Sequence, residues 1–335
     1  MKSFRRLLGG CLAALLVSPW PLAPAEVQAQ TQAQAWPSKP VRIVVPAAAG
    51  GGLDLLVRAL GRELTTRWGQ PVTIDNRGGA SGVVGTLEVV SRGGKDGHTL
   101  LAVTDNLLIH NRFVFRNLAY DPDRDLTAVA IMAKADQLLI ATHSLPANDM
   151  RELVALAKRE GSRITYGAWG DASQPQLVYS ALNSLAGTEI TQVNYKGVAP
   201  VMVALAGNEV QLSVISGGTA GPLLKQGKIK VLAAASRERL PEFPDVATTA
   251  EQGFPSLQSI IWFGLMAPAG TPSPIIERIA DDTRAVLADP AFAEANVTSK
   301  GWRVLGGGPK EFADTVRQQT PVIADMIKAA GIQPQ

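Results

Sequence analysis

Three turns in this chain combine residue types suited to holding an anion. Each follows a short apolar or β-branched run and opens into a helical pattern. The first reads Ala47-Ala48-Ala49-Gly50-Gly51-Gly52-Leu53-Asp54. The second reads Asp75-Asn76-Arg77-Gly78-Gly79-Ala80-Ser81-Gly82. The third reads Gly167-Ala168-Trp169-Gly170-Asp171-Ala172-Ser173-Gln174-Pro175-Gln176. Glycines at a strand-to-helix turn let backbone N–H groups face a ligand at the positive end of the helix dipole. Pro175 suits the first turn of a helix, with Asp171 or Ser173 as its cap. One such turn is equally well explained as a tight bend. Three of them at the carboxyl ends of strands stand where α/β folds place ligands.

The same residues exclude several chemistries. A phosphate loop of the Walker type needs Gly-Lys-Ser/Thr, which no glycine run supplies, and Ala80 stands where the dinucleotide fingerprint needs its first glycine. The three histidines, His98, His110 and His143, have no metal-ligand spacing and read as surface or turn residues. No Gly-x-Ser-x-Gly elbow occurs, and the acidic residues are scattered. No cofactor, no metal and no catalytic residue is called for, so the chain reads as a binder and not an enzyme.

The elements that must position these turns alternate. Runs at 41–47, 72–75, 99–104, 138–142, 163–166, 210–216 and 231–235 read as buried strands. Leu56, Leu60, Leu64 and Trp68 recur every fourth residue before a stop at Gly69, and Asp149 with Glu152 forms a capping-box pattern ahead of Gly161. The tail carries two long helical patterns, 273–287 and 310–330, around one short strand-like run at 302–305. Strand–helix alternation over 335 residues predicts α/β lobes with mostly parallel sheets, in two halves and without a flexible linker.

The first 35 residues follow another grammar. A basic start (Lys2, Arg5, Arg6), an apolar run at 7–17 and small-x-small sites ending at Ala25, Ala29 and Ala35 predict a secretory signal peptide. Without it, 29 basic residues face 28 acidic ones, which offers no electrostatic case for nucleic acid. The single cysteine, Cys11, lies in that leader, so the exported chain has neither disulfides nor thiol chemistry. No later stretch reaches the ~18 apolar residues of a membrane span, and the expected address is a bacterial periplasm.

From residue 36 onward the chain resembles a known family. Trp36-Pro37-Ser38-Lys39-Pro40-Val41-Arg42-Ile43-Val44-Val45-Pro46, running into Ala49-Gly50-Gly51-Gly52-Leu53-Asp54, is similar to the opening of the Bug family. These are extracytoplasmic solute-binding receptors related to tripartite tricarboxylate transporters. Further matches are Gly69-Gln70-Pro71-Val72, Asn76-Arg77, Asp96-Gly97-His98-Thr99-Leu100 and Tyr120-Asp121-Pro122. Asn194-Tyr195-Lys196-Gly197, Pro244-Asp245-Val246 and Leu265-Met266-Ala267-Pro268-Ala269-Gly270-Thr271-Pro272 complete the series.

The resemblance implies an α/β, two-lobed periplasmic-binding-protein-like fold of type II with its ligand cleft between the lobes. Lobe 1 is expected to take 36–137 plus 263–335, and lobe 2 to take 138–262. It implies a small organic solute, mostly a carboxylate, held by backbone amides and water as the lobes close. Delivery would be to the membrane subunits of a tripartite tricarboxylate-type transporter, by a monomer. A sensor that serves a signalling partner without transport is the alternative, and a secreted hydrolase the weakest reading. Transferred to this sequence, the ligand-binding positions of lobe 1 are Ala48, Ala49, Gly51, Asp54, Gly78, Ser81, Gly82, Thr104, Asp105 and Asn106. Those of lobe 2 are Trp169, Asp171, Ser173, Gln176, Tyr195, Lys196, Ser216, Gly217 and Thr219.

The departures from the family bear on specificity. Leu53 replaces a usual threonine, Gln176 a histidine, and Leu107 a small polar residue. Trp169 replaces a small residue, and Asp105 and Asp171 replace neutral ones. Two aspartates facing the cleft would oppose a dicarboxylate by at least about a kcal/mol each. Trp169 would offer a ring to stack on. The resulting expectation is a ligand with at most one carboxylate, aromatic, amide-bearing or cationic.

Overall fold

The computed structural model describes residues 36–170 and 173–334. The expected leader and its cleavage sites lie outside the described residues, as does Asp171. In chain order β1 (Val41–Val45), α1 (Gly52–Trp68), β2 (Val72–Asn76), α2 (Val83–Arg92) and β3 (Thr99–Thr104) come first. A π-turn, Asn106–His110, leads to the short α3 (Asn111–Val114) and α4 (Pro122–Asp125). The long β4 (Leu126–Thr142) is followed by α5 (Met150–Glu160), β5 (Thr165–Ala168), α6 (Gln174–Ala186) and β6 (Thr191–Asn194). Then come α7 (Val198–Ala206), β7 (Leu212–Ser216), α8 (Gly217–Lys225), β8 (Ile229–Ala234) and β9 (Ile260–Pro268). The chain closes with α9 (Ser273–Leu287), α10 (Pro290–Asn296), β10 (Arg303–Gly307) and α11 (Pro309–Ala329).

The strands run in the order β2-β1-β3-β9-β4-β7-β5-β6, and β8 and β10 each pair with β4 off that path. β1 is parallel to both β2 and β3, and β5 is parallel to β6 and β7. β4 joins the two parallel groups. Its Leu126–Asp136 stretch pairs with β9, and β10 lies along Ile131–Lys134. From Gln137 to Thr142 its partners are β7 and β8 instead. The handover falls between Asp136 and Gln137. Strands buried on both faces explain why 41–45 and 212–216 read as largely apolar runs, broken only by Arg42 in the first and by Ser213 and Ser216 in the second.

Packing follows the same division on one side and ignores it on the other. One cluster (Leu53, Leu56, Leu60, Phe263, Trp302) fills the first half under α1, α9 and α10. Another (Leu138, Val201, Leu205, Ile215, Leu240) fills the second half under α7 and α8. A third and larger cluster runs through both, from Val103 and Leu108 through Ile131 and Leu139 to Tyr166, Leu177 and Tyr179. α11 seals it. Phe312 meets Trp262 edge-on at 5.2 Å, Trp262 Nε1 donates to Gln319 Oε1 at 2.8 Å, and Ile323 and Met326 add apolar surface. Gly264 admits that ring, since a Cβ there would stand 2.5 Å from Phe312 Cζ.

Local signals hold where sequence chemistry is strongest. Gly69 ends α1 in left-handed backbone (φ 63°), its N–H donating to Thr65 O at 3.0 Å. Asp149 caps α5 by accepting from the Glu152 N–H at 2.7 Å. Three expectations need correction. The strand read at 138–142 is the end of a 17-residue strand, and β6 and β9 were not foreseen. His98 and His110 are buried, not at the surface; only His143 lies in an exposed turn. His98 Nε2 accepts from the Ser38 N–H at 3.2 Å, which ties the segment ahead of β1 to the loop before β3.

Candidate functional site

Parallel strands put their carboxyl ends on one edge, so the turns after β1, β2 and β3 meet. Loop 1 (47–52) is shaped from below by Asp54. This carboxylate is 2% exposed and accepts from the Gly50 N–H at 2.8 Å, Asn76 Nδ2 at 2.9 Å and Arg58 Nε at 3.0 Å. Burial by itself would raise the Asp54 pKa; the bonds from Arg58, Gly50 and Asn76 outweigh it and hold the carboxyl below its ordinary value. Asp54 therefore faces the loop backbone, with its lone pairs committed there. Asn76 also donates to Ala47 O at 3.2 Å, so the end of β2 is sewn to loop 1.

Loop 2 carries unusual backbone. Gly79 (φ 130°), Ala80 (φ 45°), Ser81 (φ 51°) and Gly82 (φ 87°) all have positive φ, a cost for the alanine and the serine that the surroundings must hold in place. They do so. Asn111 Nδ2 donates to Ser81 O at 3.2 Å and Asn106 Nδ2 at 3.4 Å. Asn111 Nδ2 also reaches Tyr120 Oη at 3.1 Å, and Tyr120 donates to Leu107 O at 2.7 Å. Burial pushes the Tyr120 hydroxyl up to about 12, so it remains a donor. A Cβ on Gly82 would stand 2.5 Å from Leu107 Cδ2, and one on Gly78 3.4 Å from the Ala47 carbonyl carbon. Thus Ala48, Gly78, Ser81, Gly82 and Asn106 lie in one brace of three loops, with Ala49, Gly51 and Thr104 on its adjoining backbone.

Asp105 departs from its expected orientation. It is 1% exposed and its carboxylate lies 3.0 Å from His110 Nε2, inside the π-turn. Its charge is directed into the protein, so the like-charge argument against a dicarboxylate loses one of its two aspartates. The other, Asp171, is outside the described residues.

In the second half the turns after β5, β6 and β7 share an edge in the same way. Trp169 and Tyr195 are partly buried against the Val201–Leu205–Ile215 cluster, and the Tyr195 N–H donates to Ala168 O at 2.8 Å. Ser173 precedes α6 with a buried Oγ that has no hydrogen-bond partner. Gln176 lies in the first turn of that helix and is half-buried, and Lys196 is exposed. Ser216 precedes α8 and its Oγ is 3.0 Å from Thr219 Oγ1.

The helices that begin at these turns share one property. At α1, α2, α6, α7 and α8 no side chain caps the first turn. Of the helices that start elsewhere, α4, α5 and α10 are capped by Asp121, Asp149 and Asp289, while α3, α9 and α11 also lack a capping side chain. The leading N–H groups of a helix need acceptors, and here the chain supplies none from a capping side chain. Nearby cations are committed: Arg58 to Asp54 and Arg77 to Asp75 at 3.1 Å. Among the described residues no group of three His, Cys, Asp or Glu side chains is arranged to hold a metal ion, and no helix is long and apolar enough to cross a membrane.

Residues 56–332 match the family described as tripartite tricarboxylate transporter family receptor. The chain belongs to this receptor family. An R. palustris protein solved with adipate is 32% identical, with a TM-score of 0.81 over 90% of this chain and all of the other. The periplasmic binding protein BugD is 31% identical, with a TM-score of 0.78 over 90% of this chain and all of BugD. MatC from Rhodopseudomonas palustris, solved with malate, is 30% identical, with a TM-score of 0.78 over 87% of this chain and all of MatC. The Bug-type resemblance and the two-lobed α/β fold are thereby established. The sequence reading overlooked the residues that brace this receptor's loops. Arg58, Asn111 and Trp302 touch the turns from 4 to 250 positions away with no local pattern to mark them, and Tyr120 stood in the matched Tyr120-Asp121-Pro122 stretch without a bracing role.

Proposed function

We propose that this family receptor captures a small organic carboxylate in the periplasm, between a first lobe (36–137 and 263–335) and a second (138–262). It then hands the ligand to the membrane subunits of a tripartite tricarboxylate-type transporter. The observation that carries the reading is the set of helix starts without side-chain caps, α1 and α2 in one half and α6 and α8 in the other. Each follows a strand of a parallel group; α1, α6 and α8 would offer backbone N–H groups to an anion, whereas at α2 the Val83 and Val84 N–H groups already donate to Ala80 O and Gly79 O. The relatives solved with adipate and with malate support a carboxylate. With Asp105 turned inward to His110, one of the two charges counted against a dicarboxylate is removed. Trp169 and Tyr195 would supply apolar faces for the carbon skeleton, and Lys196 a mobile charge at the rim. Binding to both halves favours the closed arrangement, and no covalent step is needed.

Calorimetry and thermal shift against adipate, malate, succinate, citrate, terephthalate, nicotinate, nicotinamide and amino acids test this. A carboxylate that binds and raises the melting temperature with its concentration is the expected result. Binding of nicotinamide alone, with no carboxylate bound, would overturn the anion reading.

A further inference from the structure

On the side of the sheet where the core is split into two clusters, the halves meet backbone to backbone. The start of α8 belongs to the second half. The segment Thr298–Gly301, ahead of β10, belongs to the first. A Cβ added to Gly218 would stand 1.4 Å from Lys300 O and 1.9 Å from Lys300 C. One added to Gly301 would stand 2.5 Å from Gly218 N and 2.9 Å from Gly218 Cα. All four atoms are main chain, so none can swing aside. The contact borders a cavity of about 150 Å³ lined by Asp136, Leu240, Glu242 and Phe243 together with Gly217, Gly218 and Gly301. It also reaches loop 1. Trp302 follows Gly301, and its ring is 2.8 Å from where a Gly52 Cβ would be. The path from the start of α8 to the start of α1 is therefore Gly218, Gly301, Trp302, Gly52.

We infer that Gly218 and Gly301 form a side-chain-free latch that sets how closely the two halves approach, and with it the separation of the helix starts that face each other. This rests on the receptor reading above and adds a positioning pair to it. Gly218 is not chosen for its backbone angles, as its φ lies outside the left-handed region; the space is what requires glycine. Gly221 is three residues on in the same helix and has nothing within 4 Å of its Cβ position. The two sites differ in contact with the first half while sharing a helix and a substitution.

The test compares Gly218→Ala with Gly221→Ala in the chain without its leader. Readouts are small-angle scattering before and after adding the carboxylate that wild type binds best, calorimetric affinity, and melting temperature. Gly301→Asn attacks the latch from the other side, because asparagine tolerates φ 67° while adding the obstructing Cβ. In wild type and Gly221→Ala the radius of gyration falls on ligand addition and affinity is retained. In Gly218→Ala the radius stays near its unliganded value and affinity drops at least roughly tenfold, with a melting temperature near that of Gly221→Ala. Gly301→Asn behaves as Gly218→Ala does, and decides the matter if Gly218→Ala fails to fold. Wild-type affinity and compaction in both latch variants would overturn the latch. If wild type binds no carboxylate, the receptor reading fails instead. The latch is then judged on unliganded scattering, where Gly218→Ala must be more extended than Gly221→Ala and identical curves refute it.

Discussion

Replacing Asp54 with asparagine removes one charge and almost no volume, and it tests whether loop 1 is built from beneath. Three donors converge on this carboxylate: the Gly50 N–H at 2.8 Å, Asn76 Nδ2 at 2.9 Å and Arg58 Nε at 3.0 Å. Asparagine offers one oxygen and one NH₂, so at least one donor ends up facing another donor. A hydrogen bond to a charged group is worth about 1.5–3 kcal/mol. The Arg58 side chain is 40% exposed, so water recovers part of its loss. The expected destabilisation is about 2–3 kcal/mol, a fall in melting temperature of roughly 3–5 °C for a chain of this size. The sign of the pH dependence is set by the lowered Asp54 pKa. Stability from an ionised carboxylate is complete above the ordinary aspartate range and is lost as pH falls through the lower folded-state value. Scanning calorimetry from neutral to acid pH should therefore show a constant gap between wild type and variant down to about pH 5 that closes below about pH 4. A neutral-pH melting temperature within about 1 °C of wild type, or a gap that widens in acid, would refute the reasoning.

Three further expectations follow from the same geometry. Asn111→Leu removes the shorter of two donors to Ser81 O and the donor to Tyr120 Oη from a buried network; urea unfolding should show a loss of about 1–3 kcal/mol, and carboxylate affinity should weaken as loop 2 relaxes. Gly85→Ala places a Cβ 2.6 Å from Arg77 O and 2.8 Å from Pro46 Cβ, and should cost about 1–3 kcal/mol. Gly61→Ala meets only the Ile74 and Val72 side chains at 3.2 Å or more, and should be near neutral, as a thermal melt of the pair would show. Ser173→Ala deletes a buried hydroxyl without a partner, so the unliganded protein should melt at the same temperature or slightly higher. Calorimetry should find its carboxylate affinity reduced, since that hydroxyl stands at the start of α6.

The turns were legible because glycine has few other reasons to cluster after a strand. Gly50–Gly52, Gly78–Gly82 and Gly167–Gly170 each announce a bend toward a helix start, and all lie at carboxyl ends of strands as read. The elements that went unread are those whose partners define them. Thr191–Asn194 is polar and becomes strand only as the outer neighbour of β5. In β4 the stretch at 126–137 mixes Lys134 and Asp136 with alanines and is interrupted by two register shifts against β9, so no period of two survives. Asp105 was placed toward the ligand, with Thr104 and Asn106, by the family resemblance. The π-turn reverses that, since spacing of five residues per hydrogen bond sets positions 105 and 110 beside each other and draws the carboxylate to His110.

By itself, the order of amino acids determined the class of the fold, the positions of the glycine turns ahead of the helix starts and the absence of catalytic motifs, since these rest on local rules of period, backbone freedom and side-chain type. Only the tertiary structure decided which charges remain free and how near the halves come. Asp54 and Asp105 are spent on Gly50 and His110, Asn111 acts on Ser81 across thirty residues, and Gly218 meets Gly301 across eighty-three. Such pairings depend on the packing of distant segments, and packing has no signature within any single segment.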